Sequence, residues 1–383
     1  MERIPSEMGY HPDFYIDEHY NLIIKDGVTV EKFLPEDVKA LTAQHWLNFP
    51  PSHPFINDLV AIFFGVLTCV NLFGNGTVII LYMMEKSLRS SSNMLIINLA
   101  VADMLMILSN GAPLVVNMFF ANYWVFGKLG CILYAVGGGV TGCCAIWNMV
   151  FIGYDRQNVI VNGITAEPIS KSKMMLFILF TWVYPISIMI WPALDLWSGF
   201  SLEGLLVSCA IHYAEDDWGT KSYLLMLFSC FFVVPLFFII FFYSRIVKAV
   251  WSHEAEMKSQ AKKMNVDSLK ANQSSGESAE MKIAKIAITN VMLWYLAFAP
   301  YAFVIMIGAF YDINLITPLV AQVPSMALKV VSCINPIVYA ISHPKFREAA
   351  GKHLPGLGLG KKEFKQGVAN KTASNVSAVT STG

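Results

Sequence analysis

Seven long apolar runs dominate this chain, near residues 59–84, 93–119, 129–154, 174–194, 222–246, 283–310 and 314–341. Each is long enough for the ~20 residues that an α-helix needs to cross about 30 Å of hydrocarbon. A backbone in lipid must satisfy its own hydrogen bonds, so these runs read as helices rather than open strands. The composition agrees: 55% of residues are hydrophobic and 14% charged, against about 25% charged in an ordinary soluble domain. That balance excludes disorder, coiled coil, collagen and a small disulfide scaffold. The expected fold is an all-α integral membrane bundle of seven spans. The 27 basic and 27 acidic residues cancel, which leaves no global field to attract nucleic acid and makes lipid the expected surroundings.

Lys and Arg in the connections set the orientation. Lys86 and Arg89 follow the first run, and Arg156, Lys171 and Lys173 follow the third. The stretch from Arg245 to Lys285 holds eight basic residues, and the tail adds seven from Lys345 to Lys371. Residues 1–57 carry nine Asp/Glu against four Lys/Arg. The reading is an extracellular segment over 1–57, a bundle over 58–343, and a cytoplasmic tail over 344–383 that opens with a short amphipathic helix. No apolar core precedes residue 55, so nothing near Met1 resembles a signal peptide, and the first span is expected to direct its own insertion.

Few charges fall inside the runs. Arg245 and Lys285 lie near span ends, where a long stem can snorkel. Asp103 and Lys329 sit deep, and a charge kept at such depth is costly and marks a functional site. Of seven cysteines, Cys69, Cys143, Cys144, Cys230 and Cys333 fall within spans and read as small apolar residues. Cys131, at the outer end of the third span, and Cys209, in the loop after the fourth, both face the oxidising side. A Cys131–Cys209 disulfide is the expected pairing, and two free thiols the alternative.

An ordered set of short motifs runs through the spans: Gly74-Asn75 in the first, Asn98-Leu99-Ala100-Val101-Ala102-Asp103 in the second, and Asp155-Arg156-Gln157 at the end of the third. Pro235 and Tyr243 lie in the fifth, and Asn335-Pro336-Ile337-Val338-Tyr339 in the seventh. In order and spacing the set resembles the rhodopsin-like family of G-protein-coupled receptors across residues 55–350. The resemblance implies a polar core of Asn75, Asp103 and Asn335 that binds sodium or water. It also implies a cytoplasmic switch that includes Asp155, Arg156, Tyr243 and Tyr339.

Lys329 stands six residues before Asn335, with no other charge in its run. A desolvated amine suits condensation with an aldehyde to a Schiff base. The position resembles the retinal-binding lysine of animal opsins, whose chromophore is cis in the dark and covalently bound, as retinal or a 3-hydroxy derivative of it. The competing reading is a snorkelling or ion-paired lysine. Tyr134, Gly138, Phe298 and Tyr301 are then expected in the retinal pocket. A buried protonated Schiff base needs a negative partner or it loses its proton. Vertebrate visual opsins keep a glutamate three residues after the third-span cysteine, where this chain has the neutral Tyr134. Glu203, six residues before Cys209, matches the counterion position of invertebrate opsins.

The stretches Ala255–Val266 and Ser278–Lys285, with His343-Pro344-Lys345-Phe346-Arg347, resemble arthropod rhabdomeric opsins, whose relatives couple to the Gq class of G protein. The resemblance implies a visual pigment of the photoreceptor rhabdomere, multi-pass in the plasma membrane, with a Gq-class protein and arrestin as partners and no catalytic or metal site. Residues 344–354 suit a surface helix. The tail from Leu354 has no cysteine for palmitoylation, and its Thr372, Ser374, Ser377, Thr380, Ser381 and Thr382 are either phosphorylation sites or filler.

Some positions depart from the family pattern. Gln157 stands where tyrosine is usual, and Phe298, two residues before Pro300, where tryptophan is usual. The N-terminal segment holds no Asn-x-Ser/Thr sequon. Gly111, before Ala112-Pro113, replaces the lysine of many arthropod ultraviolet opsins, which points to visible absorption. Two alternatives stay open. One is a retinal photoisomerase, which shares the pocket. The other is a chemical-ligand receptor, against which Gly138 stands where amine receptors carry aspartate.

Overall fold

The computed structural model describes residues 14–16, 22–24, 28–264, 279–342 and 344–357. Among them, seven helices are long and apolar enough to span a bilayer: Pro54–Met84, Ser91–Ala121, Gly127–Asn162, Lys171–Ala193, Trp218–Ser252, Ile288–Phe310 and Pro318–Val338. The seven-span bundle expected from the apolar runs is the fold observed. The second, third and fifth helices extend past those runs at both ends, whereas the seventh begins only at Pro318, because polar caps, not hydropathy, set where a helix starts. Pro54 occupies the first turn of the first span behind His53, whose Nδ1 accepts the Phe55 N–H. Ser90, Ser170, Asp217 and Thr317 cap the second, fourth, fifth and seventh spans by accepting backbone N–H groups of the first turn. The third span runs on to Asn162, carrying Asp155 and Arg156 on regular helix.

Three spans are irregular. The second contains wide π turns at Ile107–Gly111 and Asn117–Ala121, and the fifth contains one at Ser229–Val233. Such turns insert a residue and rotate the next stretch of helix around its axis. The seventh is interrupted, ending at Val331 and resuming at Ile334. The break, at Ser332 and Cys333, comes three residues after Lys329 and one turn before Pro336, which cannot donate to the preceding turn.

Beside a small hairpin of β1 (Phe14–Ile16) and β2 (Leu22–Ile24), a second antiparallel hairpin follows the fourth span. Its strands are β3 (Phe200–Glu203) and β4 (Ser208–Ile211), with Leu202 opposite Cys209 and Glu203 opposite Ser208. Gly204 at φ +59° and Leu206 at φ +60° make the turn between them. Glycine takes that conformation freely, whereas Leu206 takes it at a steric cost that its full burial offsets. The disulfide Cys131–Cys209 ties β4 to the third span, as expected. The segment before the first span lies over the hairpin. The Leu202 N–H donates to the Leu41 carbonyl at 2.9 Å, and Trp46 sits edge-on to Tyr213 with ring centres 6.1 Å apart.

On the other side of the bundle the short helix Pro344–His353 turns Phe346, Ala349 and Ala350 into the main core. Its far end is fixed to the start of the first connection. Lys352 Nζ donates to Glu85 Oε2 at 2.9 Å, and His353 Nε2 lies 3.3 Å from the same oxygen. The bonds from Lys352, the Ser87 N–H and His353 hold the half-buried Glu85 carboxyl at about 2.

Candidate functional site

A cavity opens between the spans beneath the β3–β4 hairpin, with about 1060 Å³ of free space including its mouth. One end is polar and the rest apolar. The polar end gathers Lys329 and Ser325 from the seventh span, Glu203 from β3, Tyr301 from the sixth, Tyr134 from the third and Asn110 from the second. The apolar part is walled by Leu224, Phe228 and Phe232 of the fifth span and Phe298, Ile305 and Met306 of the sixth. Phe232 packs against Phe298 with ring centres 5.9 Å apart. That shape and lining suit a long, flat, apolar ligand with one reactive end.

Lys329 is 4% exposed and Glu203 2%, so both ionisable groups are removed from water. Lys329 Nζ donates to the Ser325 carbonyl at 3.0 Å and to Ser325 Oγ at 3.3 Å. The face of the Tyr134 ring lies 5.7 Å from that nitrogen. Glu203 accepts hydrogen bonds from the Tyr301 hydroxyl, at 3.2 and 3.3 Å to its two oxygens, and from the Tyr213 hydroxyl at 3.3 Å. Ser325 faces the same carboxylate, so one hydroxyl stands between amine and acid. Burial pushes the Glu203 carboxyl up to about 7, while the Lys329 charge and the hydroxyls of Tyr301, Tyr213 and Ser325 pull it back.

Glycines in the third span make the room. A Cβ on Gly138 would come within 2.5 Å of Asn110 Oδ1, and one on Gly139 within 2.7 Å of Met189 Sδ. Asn110 is brought there by the first π turn of the second span and donates to the Tyr134 carbonyl at 3.1 Å. The hairpin turn is locked from the seventh span, because Gln322 Oε1 accepts from Ser208 Oγ at 3.2 Å.

All four pocket residues expected from the sequence, Tyr134, Gly138, Phe298 and Tyr301, line this cavity with Lys329 and Glu203. To the lining the fold adds Asn110, Ser325 and Trp294, and behind Glu203 it adds Tyr213, all of which sequence reasoning misses. Trp294 stands four residues before Phe298, which at helical spacing places it on the same face. The other three carry no charge and belong to no motif, so the sequence holds no signal for them.

The expected polar core is only partly assembled by direct bonds. Asn335 Nδ2 donates to Asp103 Oδ2 at 2.6 Å, but Asn75 Nδ2 donates instead to the Ser332 carbonyl at 3.3 Å, freed by the break in the seventh span. The neighbouring Asn71 donates to Ser332 Oγ at 2.9 Å. Near the end of the third span, Arg156 pairs with the adjacent Asp155, which also accepts from Ser92 Oγ at 2.9 Å. The buried ring of Tyr243 packs where a Cβ on Gly153 would come within 3.0 Å of it. The Tyr339 side chain, residues 265–278 between the fifth and sixth spans, and the tail hydroxyls from Thr372 to Thr382 lie outside the described residues.

Residues 74–339 match the family described as 7 transmembrane receptor (rhodopsin family). The chain is 38% identical to a compound eye opsin of Hemigrapsus sanguineus over 370 residues, covering 97% of each chain. It is 37% identical to the lateral eye opsin of Limulus polyphemus, covering 88% of this chain and 89% of that one. Among solved structures it is similar to the crystal structure of squid rhodopsin, with a TM-score of 0.74 and 36% identity over 82% of this chain and 90% of that one. Seven spans, a pinned hairpin over a central cavity and these likenesses together show that the chain belongs to the rhodopsin family of seven-transmembrane receptors, among the opsins.

Proposed function

We propose that the protein is a visual pigment that binds cis-retinal covalently at Lys329 and activates a Gq-class G protein in light. The coarser part needs no proposal: a chain of this family is a multi-pass membrane receptor that works with a G protein, and not an enzyme. The observation that carries the finer reading is the buried pair of Lys329 and Glu203 at one end of an apolar cavity. An amine there is a nucleophile for an aldehyde, and a carboxylate there holds the positive charge that results. Bound retinal supplies the absorption of light and a change in the shape of its polyene. Everything else falls to the protein.

In this reading Glu203 is the counterion, held by Tyr213 and Tyr301 on a hairpin that Cys131–Cys209 pins. A carboxylate so fixed keeps its place when the helices move, which favours a photoproduct that stays protonated and returns on absorbing a second photon. Tyr134, Gly138, Phe298 and Tyr301 shape the pocket. Asn75, Asp103 and Asn335, with water or sodium between them, form the polar core. Asp155, Arg156, Tyr243 and Tyr339 form the switch that opens a crevice for the G protein, with arrestin as the later partner. Residues 1–57 lie outside the cell, and residues 344–383 in the cytoplasm of a photoreceptor rhabdomere. The test is light-dependent nucleotide exchange on a purified Gq-class protein by the retinal-regenerated full chain. Exchange in light and not in darkness supports the reading; no light dependence in a protein that has formed a visible pigment overturns it.

A further inference from the structure

The turn that follows Glu203 sits directly on the seventh span. Gly204, at φ +59°, comes so close that a Cβ there would stand 3.0 Å from the Pro318 carbonyl oxygen, 3.1 Å from Gln322 Oε1 and 3.4 Å from Gln322 Cβ. Gln322 is 1% exposed, and its Oε1 accepts from both sides of the turn, from the Leu205 N–H at 3.4 Å and from Ser208 Oγ at 3.2 Å. A backbone N–H can only donate, so that bond fixes which end of the amide faces the turn. Gln322 Nε2 meets no partner among the described residues, which leaves the oxygen to carry the contact. Ser208 is the residue opposite Glu203 in the hairpin register. One side-chain oxygen thus grips both the strand partner of the acid and the backbone two residues beyond it.

Gln322, Ser325 and Lys329 follow one another at spacings of three and four, which places them on one face of the helix Pro318–Val331. All three are buried. Seven residues at 1.5 Å each put Gln322 about 10 Å from Lys329 along that helix, ahead of the break at Ser332 and Cys333. The hairpin has other anchors, and they run to other spans. The disulfide joins Cys209 to the third, and Asn117 Nδ2 of the second donates to the Val207 carbonyl at 3.0 Å. Gln322 ties the turn to the helix that carries the amine. If the third and seventh spans shift against each other, a hairpin fixed to the third alone draws Glu203 away from Lys329. A hairpin keyed to the seventh moves with it. Attraction between opposite charges falls with their separation, so whatever holds that separation constant keeps the positive charge in place.

We propose that Gln322 is the positioning residue that keys the Glu203 hairpin to the seventh span, so that acid and amine keep their separation when the bundle changes shape in light. This rests on the retinal reading above, and the experiment separates the two. Regenerate the full-length parent, Gln322→Met and Glu203→Gln with cis-retinal, and titrate the visible band in darkness and again after illumination. Methionine keeps the length of the side chain and removes the amide oxygen. In Gln322→Met the dark midpoint should stay within about 0.5 pH unit of the parent, because Tyr213, Tyr301 and the disulfide still hold Glu203. The photoproduct midpoint should fall by about one unit or more. A smaller fall in the photoproduct overturns the proposal. A dark midpoint that falls by as much also overturns it, since equal shifts mark a merely structural role. If Gln322→Met forms no pigment, a covalent tie decides. Gly204→Cys with Gln322→Cys would set two Cβ atoms 3.4 Å apart, close to the ~3.5–4.5 Å of disulfides. A crosslinked pigment with both of the parent's midpoints supports the proposal, because hairpin and helix then need no motion between them. A crosslinked protein with no photoproduct, or with a photoproduct midpoint lower by about one unit or more, overturns it. A parent that forms no visible pigment overturns the retinal reading itself, and Glu203→Gln with both midpoints unchanged overturns its choice of counterion.

Discussion

Replacing Glu203 with glutamine removes one charge at nearly constant shape, and its effect on the pigment can be sized from the site. Lys329 Nζ lies 3.3 Å from Ser325 Oγ, and that hydroxyl in turn faces the Glu203 carboxylate. With that one hydroxyl between them, amine and acid are taken to lie about 7 Å apart. At an effective dielectric constant of about 20, opposite charges at that distance attract by roughly 2.4 kcal/mol, which corresponds to about 1.7 pH units. The pH at which the visible band gives way to an ultraviolet one should therefore fall by about 1.7 units in Glu203→Gln, within the range of about 1–3 units typical of an opposite charge. The assay is a spectrophotometric pH titration of purified pigment in darkness and again after illumination. Equal midpoints for parent and variant in both states would refute the assignment, and attention would pass to Asp103 through a water chain or to a bound anion.

The retinal-free chain offers a pH test of the same residue. Because burial holds the Glu203 carboxyl at about 7, it is protonated below that pH and charged above it. An infrared carboxylic C=O band should fade as pH rises through about 7 and be missing from Glu203→Gln. Gly138→Ala places a methyl within 2.5 Å of Asn110 Oδ1. The overpacking should cost about 1–3 kcal/mol, seen as a lower melting temperature and reduced pigment yield. The Glu85 carboxyl is held at about 2, below its ordinary 4.5. The stabilisation it gives the helix Pro344–His353 is present above pH 4.5 and is lost as pH falls towards 2. Hydrogen exchange in that helix should rise over this window in the parent and show no such step in Glu85→Gln. With Gly111 in place of a lysine, the dark pigment should absorb in the visible at neutral pH, which one absorption spectrum checks.

The spans were legible in the sequence because hydropathy over some 20 residues is a strong, local signal. The deep charges stood out for a related reason: a lysine or carboxylate in an apolar run is rare and costly, so Lys329 and Asp103 announced themselves. Glu203 needed the resemblance, since a loop acid is unremarkable until the hairpin folds over the bundle and buries it. Neutral polar residues gave no such sign. Asn110 reaches the cavity through a π turn that no run of Leu and Ile reveals, and Tyr213 meets Glu203 only because β4 turns back over the bundle. The break at Ser332 and Cys333 likewise offers Asn75 a backbone carbonyl, a partner that the motif does not reveal. Local pattern fixes which segments cross the membrane; it does not say how irregular helices rotate their side chains towards one another.

Every role proposed for the pocket depends on Lys329 carrying the chromophore. Illuminate the pigment, reduce it with borohydride, digest it and locate the retinyl group by mass spectrometry. Label on Lys329 alone, with no visible pigment in Lys329→Ala, is the expected result. Label on any other residue, or a visible pigment that survives in Lys329→Ala, would contradict it.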